Sequence, residues 1–400
     1  MDVDSAAPAM PLRGALVRPP AGRVRVLHIV LDLNAGGLER LVADLVRRAD
    51  PARFENHVLA LRFLGRNARG LEPANRLHVA APLPRWTMAW PRPLIRQIRE
   101  LAPDVVHTHS GVWYKASLAA RWAGVPRLIH TDHGRPYPDP LGARLLDRLA
   151  AGRTDVIVAV SAALAQQLVA GVVADRRRLR VVPNGVDAER FRPRPDDGGL
   201  RRELGLDPAA PIIGSVGRFD AVKGYDLMVE AFARLRADWP GAPPAPPTLV
   251  LAGEGPEGGR LTALVQARRL EDTVRFVGWR DDIERLLAGF DVFTLASRSE
   301  GTSVSLLEAM SAGACPVVTD VGGNRAVLGP ELGHRLVPPG DPEALAAAWM
   351  AALRGTGAER RLADAEAARR RVQERFSLDA MVRAYERLYL GDACADLATG

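Results

Sequence analysis

The chain alternates between short, nearly continuous apolar runs and stretches in which apolar residues recur at helical spacing. VRVLHIVLDL from Val24 has the pattern of a parallel strand buried on both faces. The turn Asn34-Ala35-Gly36-Gly37 follows, and Leu38 to Arg48 then reads as a helix. Glycines at such a turn let backbone amides approach a ligand where the helix begins. Further strands are expected at Asn56 to Phe63, Leu77 to Ala80, Asp104 to His109, Pro126 to Thr131 and Asp155 to Val160, the last leading into a helix capped by Ser161. Between them, Pro93 to Ala102 reads as a helix with Leu94, Ile95, Ile98 and Leu101 on one side and Arg96 and Arg99 on the other. Val181 to Asp187 reads as a short strand and an Asn-Gly turn, and the proline-rich acidic stretch Arg192 to Gly199 marks a domain boundary.

The second half repeats the scheme. Ile212 to Gly217, Thr248 to Ala252 and Thr273 to Gly278 read as strands, and a proline-rich loop spans Pro240 to Pro247. In SEGTSVSLLEAMSAGACPVVTDVGG, a loop enters with Ser299, Glu300 and Gly301, a helix starts near Ser303, Gly313 caps it in a left-handed conformation, and Pro316 to Thr319 begins a strand. An edge strand at Gly333 to Pro338 and helices at Pro342 to Arg354, Glu359 to Glu374 and Phe376 to Tyr389 complete the chain. The pattern is α/β with two Rossmann-like domains, 23–195 and 196–377, preceded by a disordered tail at 1–22 and followed by a terminal helix at 378–391.

Composition narrows the function. The chain has 400 residues, 47% hydrophobic and 25% charged, the balance of a globular protein with a sizeable core. Its two cysteines, Cys315 and Cys394, have no metal spacing and fit a reducing, cytoplasmic setting. A formal charge of +7 favours anionic partners, either nucleotides or an acidic membrane surface. Aromatics are 5% and no basic stretch is interleaved with stacking residues, which argues against nucleic acid. Val156 to Ala174 is uncharged and imitates a membrane span, but a buried strand followed by a Ser161-capped helix accounts for it better.

Glu300 and Glu308 flank the start of a helix whose amides and dipole suit a phosphate. Carboxylates there would accept hydrogen bonds from ribose and sugar hydroxyls, and a nucleotide-sugar offers both. The plainer alternative is a capping box, because Ser305 and Glu308 have S-x-x-E spacing. Arg218 and Lys223 follow a strand and suit a diphosphate, unless they are simply surface cations. His109 ends one strand and His133 follows the next, so both stand at the carboxyl edge where parallel sheets bind ligands. Gly253-Glu-Gly-Pro-Glu-Gly258 is a literal G-x-G-x-x-G, which raises a dinucleotide-dependent oxidoreductase as rival. Pro256 and the lack of an acid at the tip of the next strand argue against it.

The stretch from Glu300 through EAM-x-x-G-x-x-P-V-V to T-x-V-G-G resembles the E-x7-E signature of family-four retaining glycosyltransferases with the GT-B fold, the glycosyl transferases group 1. D-V-V-H-x-H at 104–109, the G-G-x-E-R loop at 36–40 and G-R-x-x-x-x-K-G at 217–224 are similar to further motifs of that family, and the likeness covers roughly residues 24–390. Where many members have another glutamate after the glycine pair, this chain reads Asn324-Arg325-Ala326. The resemblance implies two domains facing across a cleft and transfer of a sugar from a nucleoside-diphosphate donor to a hydroxyl of a glycan or lipid-linked acceptor. It implies His109 against the donor sugar, His133 near the acceptor, and Arg218 and Lys223 on the diphosphate. Glu300 would hold sugar hydroxyls and Glu308 the ribose. Gly36, Gly37, Gly301, Thr302 and Ser303 would lie beside the phosphates, and Gly253 and Gly255 near the base. No cofactor beyond the donor substrate is implied, and no metal: the sole D-x-D, Asp2 to Asp4, lies in the tail. A sugar- or nucleotide-binding protein without catalysis is the non-enzymatic alternative.

Overall fold

The computed structural model describes residues 22–392 except 35, 72–75, 84–89, 135–140, 241–244 and 355, and the side chains of 355–358. The expected tail, Cys394 and part of the Pro240 to Pro247 loop lie outside the described residues. Contacts divide the chain into two compact units, 1–133 with 138–183 and 381–400, and 134–137 with 184–380.

The first unit is built on seven strands: β1 (Val24–Val30), β2 (Phe54–Ala60), β3 (Leu77–Val79), β4 (Val105–His109), β5 (Arg127–Asp132), β6 (Val156–Ala159) and β7 (Leu179–Val181). They run parallel in the order β3-β2-β1-β4-β5-β6-β7. Helices cover the sheet: Leu94, Ile95 and Ile98 pack with Leu27, Ile29 and Val106 in one core cluster, and Val42 and Ala43 pack with Val30 and Val58 in another. Burial on both faces explains the apolar strand runs.

The second unit has six parallel strands, β8 (Ile212–Val216), β9 (Thr248–Ala252), β10 (Val274–Gly278), β11 (Val292–Leu295), β12 (Cys315–Thr319) and β13 (Leu336–Val337), in the order β10-β9-β8-β11-β12-β13. Leu306, Leu307 and Met310 pack in one core cluster of this unit, and Met228, Phe232 and Trp349 in the other. Cys315 is buried, and burial pushes its thiol up to about 11, so it is an unreactive core residue.

In both sheets the strand order reverses beside the first strand of the unit, between β1 and β4 and between β8 and β11. Open parallel sheets bind ligands at that point, outside the strand carboxyl ends. The chain division falls at Pro183/Asn184, ahead of the boundary expected near residue 195. Val186 already bridges to Ser377, and Phe191 lies in the core of the second unit. The uncharged stretch from Val156 splits into β6 and a helix, Ala162–Gly171, whose N-cap Ser161 accepts a hydrogen bond from the Leu164 amide. No helix among the described residues is long and apolar enough to cross a membrane.

Candidate active site

In the second unit, the loops leaving β8 and β11 meet at the switch point. Lys223 sits on a short 3-10 turn, Ala221–Lys223, closed by Gly224 at φ +66°. A Cβ on Gly224 would lie 2.0 Å from the Ala296 carbonyl oxygen, so glycine is required both by the left-handed turn and by the close approach. Arg298 fastens the loops further: its amide donates to the Val222 carbonyl at 2.8 Å, and its guanidinium grips both Asp226 oxygens at 2.9 and 2.8 Å.

This scaffold holds Lys223 Nζ 2.8 and 3.0 Å from the two Glu300 carboxylate oxygens. Ser297 Oγ donates to Glu300 Oε1 at 2.6 Å. The Glu300 side chain is 6% exposed and that of Lys223 29%. Lys223 is therefore neither a free surface cation nor a group with its whole charge available to a phosphate: it compensates a buried carboxylate. Arg218 differs, with a side chain 64% exposed and ion-paired to Asp220.

The following helix is Val304–Ser311, and its N-cap is Ser303, whose hydroxyl accepts from the Leu306 amide. A Ser305/Glu308 capping box would require Ser305 as N-cap, so that alternative is corrected. Glu308 instead occupies the second turn and is buried, as are Thr302 and Ser303. Gly301 is tied down by its carbonyl, which accepts from the Gly323 amide at 2.8 Å, and Asn184 Nδ2 donates to the Thr302 carbonyl at 2.7 Å. Gly322, at φ +54°, lies so close to Glu300 that a Cβ would be 1.8 Å from the Glu300 carbonyl oxygen. The T-x-V-G-G loop thus buttresses the loop bearing Glu300.

Gly253 and Gly255 have a structural explanation of the same kind. Added Cβ atoms would fall 1.9 Å from the Gly217 oxygen and 2.5 Å from the Phe219 oxygen. The Phe219 amide also donates to the Glu254 carbonyl at 3.0 Å. The G-x-G therefore packs against the loop carrying Arg218, which accounts for both glycines without a dinucleotide.

In the first unit, Gly36 is the N-cap of the Gly37–Arg48 helix, and its Cβ position is taken by the Glu39 carboxylate. His109 ends β4 inside a buried group of imidazoles. Its Nδ1 is 3.1 Å from His133 Nε2, and its Nε2 is 3.4 Å from His28 Nδ1. His28 Nε2 is 3.2 Å from Asn56 Oδ1. His107 forms a separate chain, with Nδ1 2.9 Å from Tyr389 OH and Nε2 2.8 Å from Thr131 Oγ1. Burial disfavours the imidazolium throughout: His28 is lowered to about 4, His133 to about 3, and His107 and His109 well below the ordinary value.

The structure thus joins Lys223 to Glu300 and His109 to His133, each pair within one unit. Sequence reasoning missed Ser297, Asn184, His28, Asn56 and His107. A histidine in the middle of the apolar run VRVLHIV was the available signal, since a buried imidazole needs a polar partner.

Comparison with known proteins agrees with this geometry. Residues 197–371 match the family described as glycosyl transferases group 1, and residues 35–190 match glycosyltransferase family 4. The chain is 32% identical to a D-inositol 3-phosphate glycosyltransferase of Geodermatophilus obscurus, over 76% of this chain and 71% of that protein. It is 30% identical to the Escherichia coli UDP-Gal:alpha-D-GlcNAc-diphosphoundecaprenol alpha-1,3-galactosyltransferase, over 62% of this chain and 66% of that one. Among solved structures, Anabaena HepE in complex with UDP-glucose superposes with a TM-score of 0.77 at 21% identity, covering 92% of this chain and 99% of HepE, a likeness of fold. Two doubly wound parallel sheets, the motif loops at their switch points and these matches lead to one conclusion: the chain belongs to glycosyltransferase family four, with the GT-B fold, and is a retaining glycosyltransferase that uses a nucleoside-diphosphate sugar.

Proposed function

We propose that the protein transfers a hexose to a hydroxyl of a glycan or lipid-linked acceptor in polysaccharide or glycolipid assembly. The observation that carries the reading is the Ser297–Glu300–Lys223 constellation held at the switch point of the second sheet. Glu300 is preorganised to accept from sugar hydroxyls, because Lys223 and Ser297 fix its carboxylate before substrate arrives. Lys223 and Arg218 stabilise charge developing on the departing diphosphate, with amides near Gly301, Thr302 and Ser303. Glu308 holds the ribose, the Gly253–Gly255 loop borders the base, and His133, backed by His109, meets sugar hydroxyls. The E. coli relative, named for UDP-Gal and a diphosphoundecaprenol-linked sugar, supports both a hexose donor and a lipid-linked acceptor.

A thermal-shift panel of nucleoside-diphosphate sugars tests this, since a ligand stabilises the fold that binds it. At least one nucleoside-diphosphate hexose should raise Tm and be hydrolysed slowly in the absence of acceptor. Stabilisation without any hydrolysis would identify a binding protein instead.

A second observation favours peripheral contact with an anionic bilayer, and it points to one amphipathic helix over another. The Arg92–Leu101 helix buries Leu94, Ile95 and Ile98 in the core, so it has no apolar face left for lipid. On the Leu141–Arg153 helix, Leu141, Leu145 and Leu149 are 80%, 60% and 44% exposed at successive turns. Arg178 donates to the Gly152 and Thr154 carbonyls, which brings the Arg176–Arg180 cluster to the end of that helix. Apolar residues beside clustered arginine complement a surface of acidic headgroups. Co-sedimentation with phosphatidylglycerol vesicles should exceed that with phosphatidylcholine vesicles and fall when the three leucines become serine. Equal sedimentation with both vesicle types would contradict it.

A further inference from the structure

We propose that Asn56 acts as a distant positioning residue: through His28 and His109 it fixes the tautomer in which His133 Nδ1 presents a lone pair to the substrate hydroxyl. The substrate half of the proposal rests on the glycosyl-transfer reading, and the tautomer half rests only on hydrogen bonds within the first unit.

A neutral imidazole has one N–H and one lone pair, so a chain of imidazoles anchored at one end has a single consistent proton assignment. Asn56 Oδ1 can only accept, so His28 Nε2, 3.2 Å away, carries the proton. His28 Nδ1 is then a bare acceptor, and His109 Nε2, at 3.4 Å, must donate to it. That leaves His109 Nδ1 bare, and His133 Nε2, at 3.1 Å, donates in turn. Each step follows from the one before. The chain ends on the lone pair of His133 Nδ1, a buried atom with no hydrogen-bond partner among the described residues. The His133 backbone is fixed as well, its amide donating to Ser110 Oγ at 2.8 Å.

Two consequences follow for the sugar site. His109 has both ring nitrogens engaged and is a positioning residue in this scheme, whereas His133 touches the hydroxyl. A lone pair also selects its partner: a hydroxyl can donate to it, and a phosphate oxygen or a carbonyl cannot. The lowered pKa values of His28 and His133 agree, since the chain works only while every ring is neutral. The rival occupant of the region is a metal ion, because ring nitrogens of His28, His107 and His109 lie within 4.8 Å of one another. Those nitrogens already have partners in Asn56, His133, Tyr389, Thr131 and each other, so a metal would have to displace both chains.

The test is long-range 1H–15N correlation NMR on the full protein labelled with 15N-histidine, which distinguishes a protonated from a bare ring nitrogen. In the wild type, His28, His109 and His133 should all be Nε2–H tautomers. Asn56→Leu should give mixed tautomers at His133, and Asn56→Asp, which keeps the accepting oxygen, should restore the single form. Transfer kcat/KM should fall about 3- to 10-fold in Asn56→Leu, the worth of one neutral hydrogen bond, and recover in Asn56→Asp. Should Asn56→Leu not fold, His133→Leu against His133→Gln asks the same question, and the glutamine, able to accept, should retain more activity.

An Nδ1–H tautomer at His133 in the wild type, or stoichiometric metal whose removal shifts the His28 and His109 resonances, overturns the proposal. Unchanged kcat/KM in Asn56→Leu despite scrambled tautomers overturns its functional half. A locked tautomer in a protein that hydrolyses no nucleoside-diphosphate sugar would instead fail the glycosyl-transfer reading, so the two failures are distinguishable.

Discussion

A carboxylate as enclosed as that of Glu300 is tolerated because Lys223 and Ser297 satisfy it, and each partner's role therefore depends on the other. Lys223→Ala should lower kcat about 10²-fold or more, as removal of one charge-stabilising group from a preorganised site does. Arg218→Ala should cost a similar factor, but without the loss of Tm expected for Lys223→Ala, because Arg218 is exposed and leaves no buried charge unpaired. Steady-state kinetics with thermal melts of both variants checks this. Unchanged kcat in both would remove them from the diphosphate site. The two glutamates should separate by assay. Glu308→Ala weakens binding of free nucleoside diphosphate in calorimetry, whereas Glu300→Ala mainly slows transfer, and equal loss of affinity in both would contradict the assignment. Spacing singles out these four residues as candidates, yet it gave no sign of the pairing of Lys223 with Glu300. No local pattern states that residues 77 positions apart share a proton-donor contact.

At the scale of elements, glycines decide which loops can touch. Gly322→Ala combines left-handed strain with a Cβ driven into the Glu300 carbonyl, while Gly340, at φ +75°, has open space around its Cβ position. Gly340→Ala should therefore cost only the strain term, about 1–2 kcal/mol, with activity retained. Gly322→Ala should destabilise further and also reduce transfer, because it moves the loop bearing Glu300. Urea melts with parallel activity assays compare the two, and equal activity in both would show that the T-x-V-G-G loop does not set the Glu300 position. The apolar runs made β1 and β9 legible, with β1 starting at Val24 and β9 spanning Thr248–Ala252 as expected. β2 was displaced: it spans Phe54–Ala60 rather than Asn56 to Phe63, because its bounds are set by pairing with β1, from Val24 opposite Phe54 to Val30 opposite Ala60. β11 and the Trp113–Ala123, Leu141–Arg153 and Ile283–Gly289 helices went unassigned from sequence. The imidazole chain was illegible for the same reason as the β2 register, since it links four strands or strand ends, which only the assembled sheet brings together.

Across the whole molecule, the buried imidazoles make stability depend on pH in a defined window. Their folded pKa values lie below the unfolded value near 6.5, so the unfolded chain takes up protons that the folded one refuses. Stability is complete above pH 6.5 and declines as pH falls toward 4, each such histidine contributing up to about 1.4 kcal/mol per pH unit. Glu55, held at about 2 first by its hydrogen bond from His57, adds its loss only at lower pH, below the ordinary carboxylate range. Urea midpoints should be flat from pH 8 to 7 and fall between 6.5 and 5. A midpoint unchanged over the second interval would mean that the cluster is solvated. The central claim concerns the reaction itself. The proposed roles give both motif glutamates to hydroxyl binding and leave no carboxylate as nucleophile, so a covalent glycosyl-enzyme of the kind retaining glycosidases form is not expected. In the reaction we propose, the acceptor attacks on the face of the leaving group, and a departing phosphate oxygen takes its proton. Proton NMR of the first-formed sugar, with water as acceptor and before mutarotation, measures this most directly. The account predicts that the product keeps the donor's anomeric configuration with no sugar trapped on Glu300 or Glu308, and an inverted anomeric coupling would contradict it.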